Sequence, residues 1–210
     1  LDSAELAAAR RRELDIARAK ALDLGRSAAV AAMDGYYVNG AGEKVHWAAQ
    51  VAHACSTKQS IAPDAQLPTA GLPLHPETRV QVSNETTLQA SLRFAGAGLR
   101  PLALNFANGI SPGGGFLNGA RTQEEVLCRS SALHATLLGD PMYEYHTERL
   151  LQDSSDWVIH SPDVPVFRSD DGTELDRPWL LSFVTSAAPY APAVGQPESG
   201  DLLQKRILRV

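Results

Sequence analysis

RPLALNFANGISPGGGFLNGARTQEEVL, residues 100–127, opens on a nearly continuous apolar run and ends on a helical pattern. The run at 100–108 is the signature of a strand buried on both faces, and it predicts a central strand over 100–107. From about residue 121 the pattern is helical. Between them Gly113, Gly114 and Gly115 stand in a row. Sheets of this class bind ligands beyond the carboxyl ends of their strands, where loops lead into helices. Glycines let backbone N–H groups come close to a bulky anion, and the helix N-terminus adds favourable potential. The loop has neither the Gly-Lys-Ser/Thr of a Walker loop nor GxGxxG spacing. Glu124 and Glu125 fall within the first helical turn. They can be read as acids complementing the helix dipole, with Thr122 and Glu125 as a capping box. They can also be read as acids held beside a pocket, although on these residues alone the capping reading is favoured.

Outward from this stretch, buried strands alternate with helices, which favours a layered α/β domain with a mixed sheet. Residues 3–24 contain no Gly or Pro and carry apolar residues at helical spacing. They predict one helix, capped by Asp2 or Ser3 and ended by Gly25. The Arg10-Arg11-Arg12 run reads as a solvated helix face, because Glu5, Glu13 and Asp15 interleave with it. YYVNGAGEKVHWA (36–48) predicts a hairpin around Asn39-Gly40. Residues 58–77 predict an ordered loop. RVQVS (79–83) predicts a strand, 84–97 a helix opened by Asn and Thr caps, and 122–138 a helix. WVIHS (157–161) and VPVFR (164–168) predict strands, Asp171-Gly172 a turn, and 179–189 a buried strand running into a Pro-rich loop. A last helix is expected from about Ser199. The domain division is 1–35 as a helical extension packed outside the sandwich and 36–210 as the α/β domain.

The 210 residues are 44% hydrophobic and 20% charged, the balance of a globular chain. A net charge of −5 argues against holding duplex nucleic acid by broad charge neutralisation. It leaves room for an anion bound by local backbone potential. Cys55 and Cys128 have no metal or redox spacing and read as two buried free thiols in a reducing compartment. No apolar run approaches the roughly 18 residues of a membrane span, and no signal peptide is visible. The chain begins at Leu1, not Met, so an N-terminal tag or tail is expected to have been removed or to lie outside this sequence. A cytoplasmic setting with no membrane partner is expected. His134, His146 and His160 have no ligand spacing, so no metal is expected.

NFANGISPGGGFLNGARTQEE resembles the signature of poly(ADP-ribose) glycohydrolases, in which GGG is followed, six to eight residues later, by QEE. SPDVPVFR and VTSAAP resemble the bacterial-type branch, and the resemblance runs from about residue 10 to the end. It implies a macrodomain-like fold, a three-layer α/β/α sandwich that binds ADP-ribose. Members of that family continue for some tens of residues beyond the position of Val210. That part supplies a second glycine-containing phosphate loop, an aromatic against adenine and the last strand, so the fold is expected to be incomplete at its C-terminus here.

The resemblance implies hydrolysis of ribose–ribose glycosidic bonds in poly(ADP-ribose), with release of ADP-ribose and without a cofactor. It assigns proton donation, and then activation of water, to Glu125. Glu124 and Asn108 would orient ribose hydroxyls, Gly113, Gly114 and Gly115 would lie against the diphosphate and distal ribose, and Gln123 would support the acid. Partners would be the polymer, ADP-ribose and ADP-ribosylated proteins. A helix N-terminus lowers a carboxyl pKa, so Glu125 is expected to become a usable acid mainly in the complex, under the Glu124 charge, the substrate diphosphate and loss of water. Two alternatives remain: a non-catalytic ADP-ribose reader, which has no use for QEE, and an unrelated phosphate-ester hydrolase dependent on a divalent ion.

Overall fold

The computed structural model describes residues 3–67, 77–194 and 200–207. Two helices begin the chain, α1 (Ala4–Leu14) and α2 (Arg18–Asp34). They are followed by the hairpin β1 (Tyr36–Val38) and β2 (Lys44–His46), then α3 (Ala48–Thr57) and β3 (Gln59–Ile61). Next come α4 (Thr87–Gly96), β4 (Leu102–Ala107), α5 (Gln123–Ser130), α6 (Leu133–Leu137) and α7 (Pro141–Thr147). The long strands β5 (Val158–Arg168) and β6 (Glu174–Ala187) precede the short helices α8 (Ala191–Val194) and α9 (Gly200–Ile207). The main sheet has the order β3-β5-β6-β4, antiparallel except for the parallel pair β4–β6, and is therefore mixed as expected.

The inward face of this sheet is set by alternation. Ala103, Asn105 and Ala107 of β4 lie beside Phe183, Thr185 and Ala187 of β6 in register, and all six are buried. Helices α3, α5 and α6 pack against the sheet. One cluster joins Leu127, Leu133, Met142, Ile159 and Phe183 to Trp47 and Phe167, whose rings stand 4.6 Å apart. Ala28 and Ala31 of α2 belong to the same cluster, so the apolar core crosses the boundary at residue 35.

Several expectations are corrected. The strand over 100–107 forms, but among the described residues it lies at the edge of the sheet rather than its centre, with Leu102 and Phe106 more than half exposed. An apolar run marks a strand, but its position in the sheet depends on which strands pair with it. RVQVS at 79–83 forms no strand; Val80 and Val82 are about nine-tenths exposed, since alternation without a partner or a core face to bury gives no strand. A short strand, β3, lies instead inside the loop expected at 58–77, of which 68–76 fall outside the described residues. The helix expected over 122–138 breaks at Ser131, which is extended and bridges to Val166. The two strands expected at 157–168 are one, with a bulge between Ser161 and Val164 where Asp163 takes φ 49°. Cys55 is exposed, and only Cys128 is buried. The last helix is described from Gly200; the Ser199 start lies outside the described residues.

The N-terminal helix is corrected twice. Ser3 does cap it, accepting from the Leu6 N–H at 3.1 Å. It then breaks at 15–17, without any Gly or Pro, and resumes through Gly25 as far as Gly35, whose φ of 73° ends it. Tertiary contacts explain both features. At the break Ile16 is buried and its carbonyl accepts from Arg121 at 2.8 Å. At Gly25 a Cβ would stand 2.3 Å from the Phe116 carbonyl oxygen, so this glycine marks a close helix–loop approach, not a helix end.

Gly25→Ala should therefore destabilise the fold by about 1–3 kcal/mol through overpacking, even though alanine favours helix by roughly 0.5–1 kcal/mol. Gly96→Ala, where an added Cβ meets nothing within 4 Å, should be neutral or slightly stabilising. Thermal melts of the two variants check the pair.

Candidate active site

The site is built where β4 ends and α5 begins. Asn108 follows the strand, and its side-chain Oδ1 accepts from the Ile110 and Ser111 N–H groups, both at 2.9 Å, which starts the turn. Gly114 N–H donates to Ser111 O at 2.9 Å, and Gly113 and Gly114 take φ of 70° and 56°. Those angles fold the loop back over the first turn of α5. A Cβ on Gly114 would lie 2.4 Å from Glu125 Oε1 and 2.9 Å from Glu124 Oε2. Gly114 is bare because the two carboxylates occupy the space beside it.

Glu125 is buried and bridges loop and helix. Its Oε1 accepts from Gly115 N–H at 2.9 Å, and its Oε2 from Thr122 N–H at 2.9 Å and from the Thr122 hydroxyl. The return bond to Thr122 N–H is half of a capping box, so the structural role read from the sequence is real. It coexists with a location inside the site. Glu124 is buried more deeply, with Oε2 accepting from Asn108 N–H at 2.8 Å and Oε1 3.5 Å from Asn105 Nδ2. Burial pushes its carboxyl up to about 7; the Asn108 N–H and Asn105 amide pull the other way, and the Glu125 charge adds to the rise. Glu124 therefore keeps a proton well above the pH at which an ordinary carboxyl loses it.

Gln123 departs from its expected place. It bonds to neither glutamate. Its Oε1 accepts from Phe106 N–H at 3.0 Å and its Nε2 donates to Leu104 O at 2.7 Å. The amide satisfies the β4 backbone as one residue of a parallel neighbour would, and so fixes α5 to the strand. The glycine amides differ too. Those of Gly114 and Gly115 are engaged with Ser111 O and Glu125, and that of Gly113 acts on Glu124, so they face the loop and the acids rather than open solvent. All seven residues singled out in the sequence nonetheless converge: Asn108, Gly113, Gly114, Gly115, Gln123, Glu124 and Glu125 lie within one bonded unit or against it.

The sequence missed what holds this unit from outside. Arg121 Nη1 donates to Asp15 Oδ1 at 2.9 Å as well as to Ile16 O, and Arg18 Nε donates to Asn118 O at 3.2 Å. Gly119, at φ 77°, passes so close to Arg18 O that a Cβ would be 2.5 Å away. His146, which the sequence offered only as a histidine without ligand spacing, is buried against Gly109 O at 3.0 Å. An unusually small residue inside a helix, Gly25, was the available signal for the first contact; nothing local signals the second. Among the described residues no group of three His, Cys, Asp or Glu side chains is placed to hold a metal ion.

The raised Glu124 carboxyl predicts a pH-dependent stability. Between its ordinary value of 4.5 and about 7 the folded protein keeps a proton that the unfolded chain has released. Stability therefore falls as pH rises through that window, by up to about 3 kcal/mol, and stays flat above it. Glu124→Gln removes this term and should be more stable than the parent at pH 8, with the advantage gone at pH 4.5. Denaturant titrations at the two pH values measure it.

Comparison with known proteins places this geometry. Residues 26–169 match the family model described as microbial-type PARG, catalytic domain. Among solved structures, poly(ADP-ribose) glycohydrolase from Thermomonospora curvata is similar, with a TM-score of 0.78 and 36% identity over 90% of this chain and 73% of that one. The same protein bound to the inhibitor ADP-HPD gives 0.77 and 35%, over 90% and 72%. The Deinococcus radiodurans enzyme in complex with ADP-ribose gives 0.64 and 31%, over 76% and 68%. No curated protein sequence matches. The mixed sheet is thus macrodomain-like, and the chain belongs to the microbial-type poly(ADP-ribose) glycohydrolase catalytic-domain family.

Proposed function

We propose that, in the hydrolysis of poly(ADP-ribose) to ADP-ribose, Glu125 is the general acid and then the base, with Glu124 as its partner. The observation that carries the reading is the pair itself: two adjacent buried carboxyls beneath a bare glycine loop, at the carboxyl end of β4. Burial raises the Glu124 carboxyl to about 7, so near neutral pH this member of the pair is partly protonated. That suits an oxocarbenium-like transition state, since negative charge opposes the cation while partial protonation limits repulsion of the diphosphate.

In this reading the distal ribose lies against residues 113–115, where no side chain intervenes. Its hydroxyls meet Glu124 and Asn108. Substrate closure removes water and brings a diphosphate near Glu125, both of which raise its proton affinity. Glu125 then delivers the proton to the leaving ribose oxygen and takes one back from the attacking water. Gln123 acts indirectly, by holding the helix start to β4. The ligands are the polymer and ADP-ribose, as in the relatives bound to ADP-HPD and ADP-ribose; ADP-ribosylated proteins are a further proposed partner. Among the described residues no helix is long and apolar enough to cross a membrane. A cytoplasmic setting is part of the proposal, supported by the free thiols of Cys55 and Cys128. A second assignment, Glu124 as proton donor, draws support from its raised pKa.

Comparing amide variants separates the two. Glu125→Gln keeps its shape and a cap acceptor, and should lower turnover by roughly 10²–10⁴-fold while ADP-ribose still binds. Glu124→Gln should lose affinity as well as rate. The assay is release of ADP-ribose from polymer with EDTA present. Near-normal turnover by Glu125→Gln would leave only its capping role. Gly114→Ala, whose Cβ would displace both acids, should weaken ADP-ribose binding about ten- to a hundred-fold in a calorimetric titration.

A further inference from the structure

A cavity of about 350 Å³ opens where β4 and β6 end, separate from the glycine loop. One wall is residues 107–110; the other is Arg149, Leu151 and Tyr190. Neither glutamate nor any of Gly113, Gly114 and Gly115 lines it. It touches the acids through Asn108, whose backbone N–H holds Glu124. The volume is that of a small-molecule site, about 300–1,000 Å³.

Its floor is fixed and its mouth is open. His146 Nδ1 faces Gly109 O at 3.0 Å; a carbonyl only accepts, so Nδ1 carries the hydrogen. Nε2 then accepts from the Ser155 hydroxyl at 2.6 Å. This locks the peptide that follows Asn108. At the mouth, Tyr190 is 58% exposed, while its backbone N–H is tied to Gln152 O at 2.9 Å. Arg149 stacks over the Tyr145 ring and donates Nη2 to Asp153 at 2.6 Å, and its Nε is buried without an acceptor. An exposed ring on an anchored backbone, a guanidinium with an unused donor, and amide groups between them suit a base, a phosphate and a ribose.

We infer that this cavity seats the leaving unit of the polymer, a nucleoside with its 5′-phosphate, whose ribose oxygen takes the proton. The inference rests on the assignment of Glu124 and Glu125 to the bond-breaking step. The scissile bond joins two riboses, so a chain substrate must lie on both sides of the acids. The distal ribose is assigned to the glycine loop. This cavity, which shares Asn108 with the acids but is lined by neither of them nor by Gly113, Gly114 or Gly115, is left for the other unit. The leaving nucleoside stacks on Tyr190, and its phosphate meets Arg149.

The test compares poly(ADP-ribose) with ADP-ribose carrying a nitrophenyl leaving group, which has no nucleotide to place in the cavity. Tyr190→Ala should lower the ratio of kcat/KM on polymer to kcat/KM on the nitrophenyl compound by about tenfold, as expected for one lost base stack. Tyr190→Phe should restore the ratio, and Arg149→Gln should lower it. ADP-ribose affinity, read by calorimetry, should change less than twofold in Tyr190→Ala. An unchanged ratio in both Tyr190→Ala and Arg149→Gln overturns the subsite. A ratio that falls only for substrates attached to protein, and not for free polymer, overturns it in favour of a protein-side contact. A parent chain that binds no ADP-ribose overturns both this subsite and the glutamate assignment beneath it.

Discussion

Glu125 holds the loop and the helix together, and the geometry of the site depends on that one carboxylate. It accepts from Gly115 on one side and from Thr122 on the other, so loop 113–119 cannot move from the start of α5 without leaving a buried polar group unpaired. An orphaned buried polar group costs about 1–3 kcal/mol. The constraint also works on sequence. Gly114 has to be glycine twice over, because its φ is 56° and because the carboxylates fill the space of its Cβ. In the proposed role of acid, the same group that caps the helix would be held in place before substrate arrives, which is what proton transfer in a closed pocket requires.

The scaffold carries this constraint outward. Arg168, at the end of β5, is buried and donates to Glu174, to Leu24 O, to Ser27 and to Arg129 O. It thereby joins α2, α5 and the β5–β6 hairpin in one network. Helix α2 in turn meets the loop through Gly25 and Arg18. The two N-terminal helices are thus a support for the glycine loop. Polar groups bind most of these contacts, so they define a position more than they add stability.

Much of this was legible in the order of residues. The progression from apolar run to glycines to Gln-Glu-Glu marks strand, loop and helix start, and the strand and loop form where that progression puts them. The seven site residues lie so close in sequence, 108 to 125, that local geometry alone gathers them. The turn at Gly172, with φ 92°, and the cap at Thr86 followed the same local chemistry. Where expectation failed, the cause was non-local. Among the described residues Val80 and Val82 alternate as in a strand but join none, and the largely apolar run at 102–106 lies at the sheet edge.

By itself the sequence determined the local conformations, the bare loop, and the placement of two carboxyls in the first turn of a helix, because each depends on near neighbours in the chain. Only the tertiary structure decided how each carboxyl is held. Glu124 and Glu125 are adjacent and chemically identical, yet Glu124 meets Asn105 and Asn108 and is pushed up to about 7 by burial, while Glu125 accepts from three donors on the loop side. Only the tertiary structure turned Gly25 from a helix end into a contact, broke the first helix at Ile16 to meet Arg121, and brought Tyr190 and Arg149 beside Asn108. Those outcomes depend on the distance between segments far apart in the chain, and packing sets that distance.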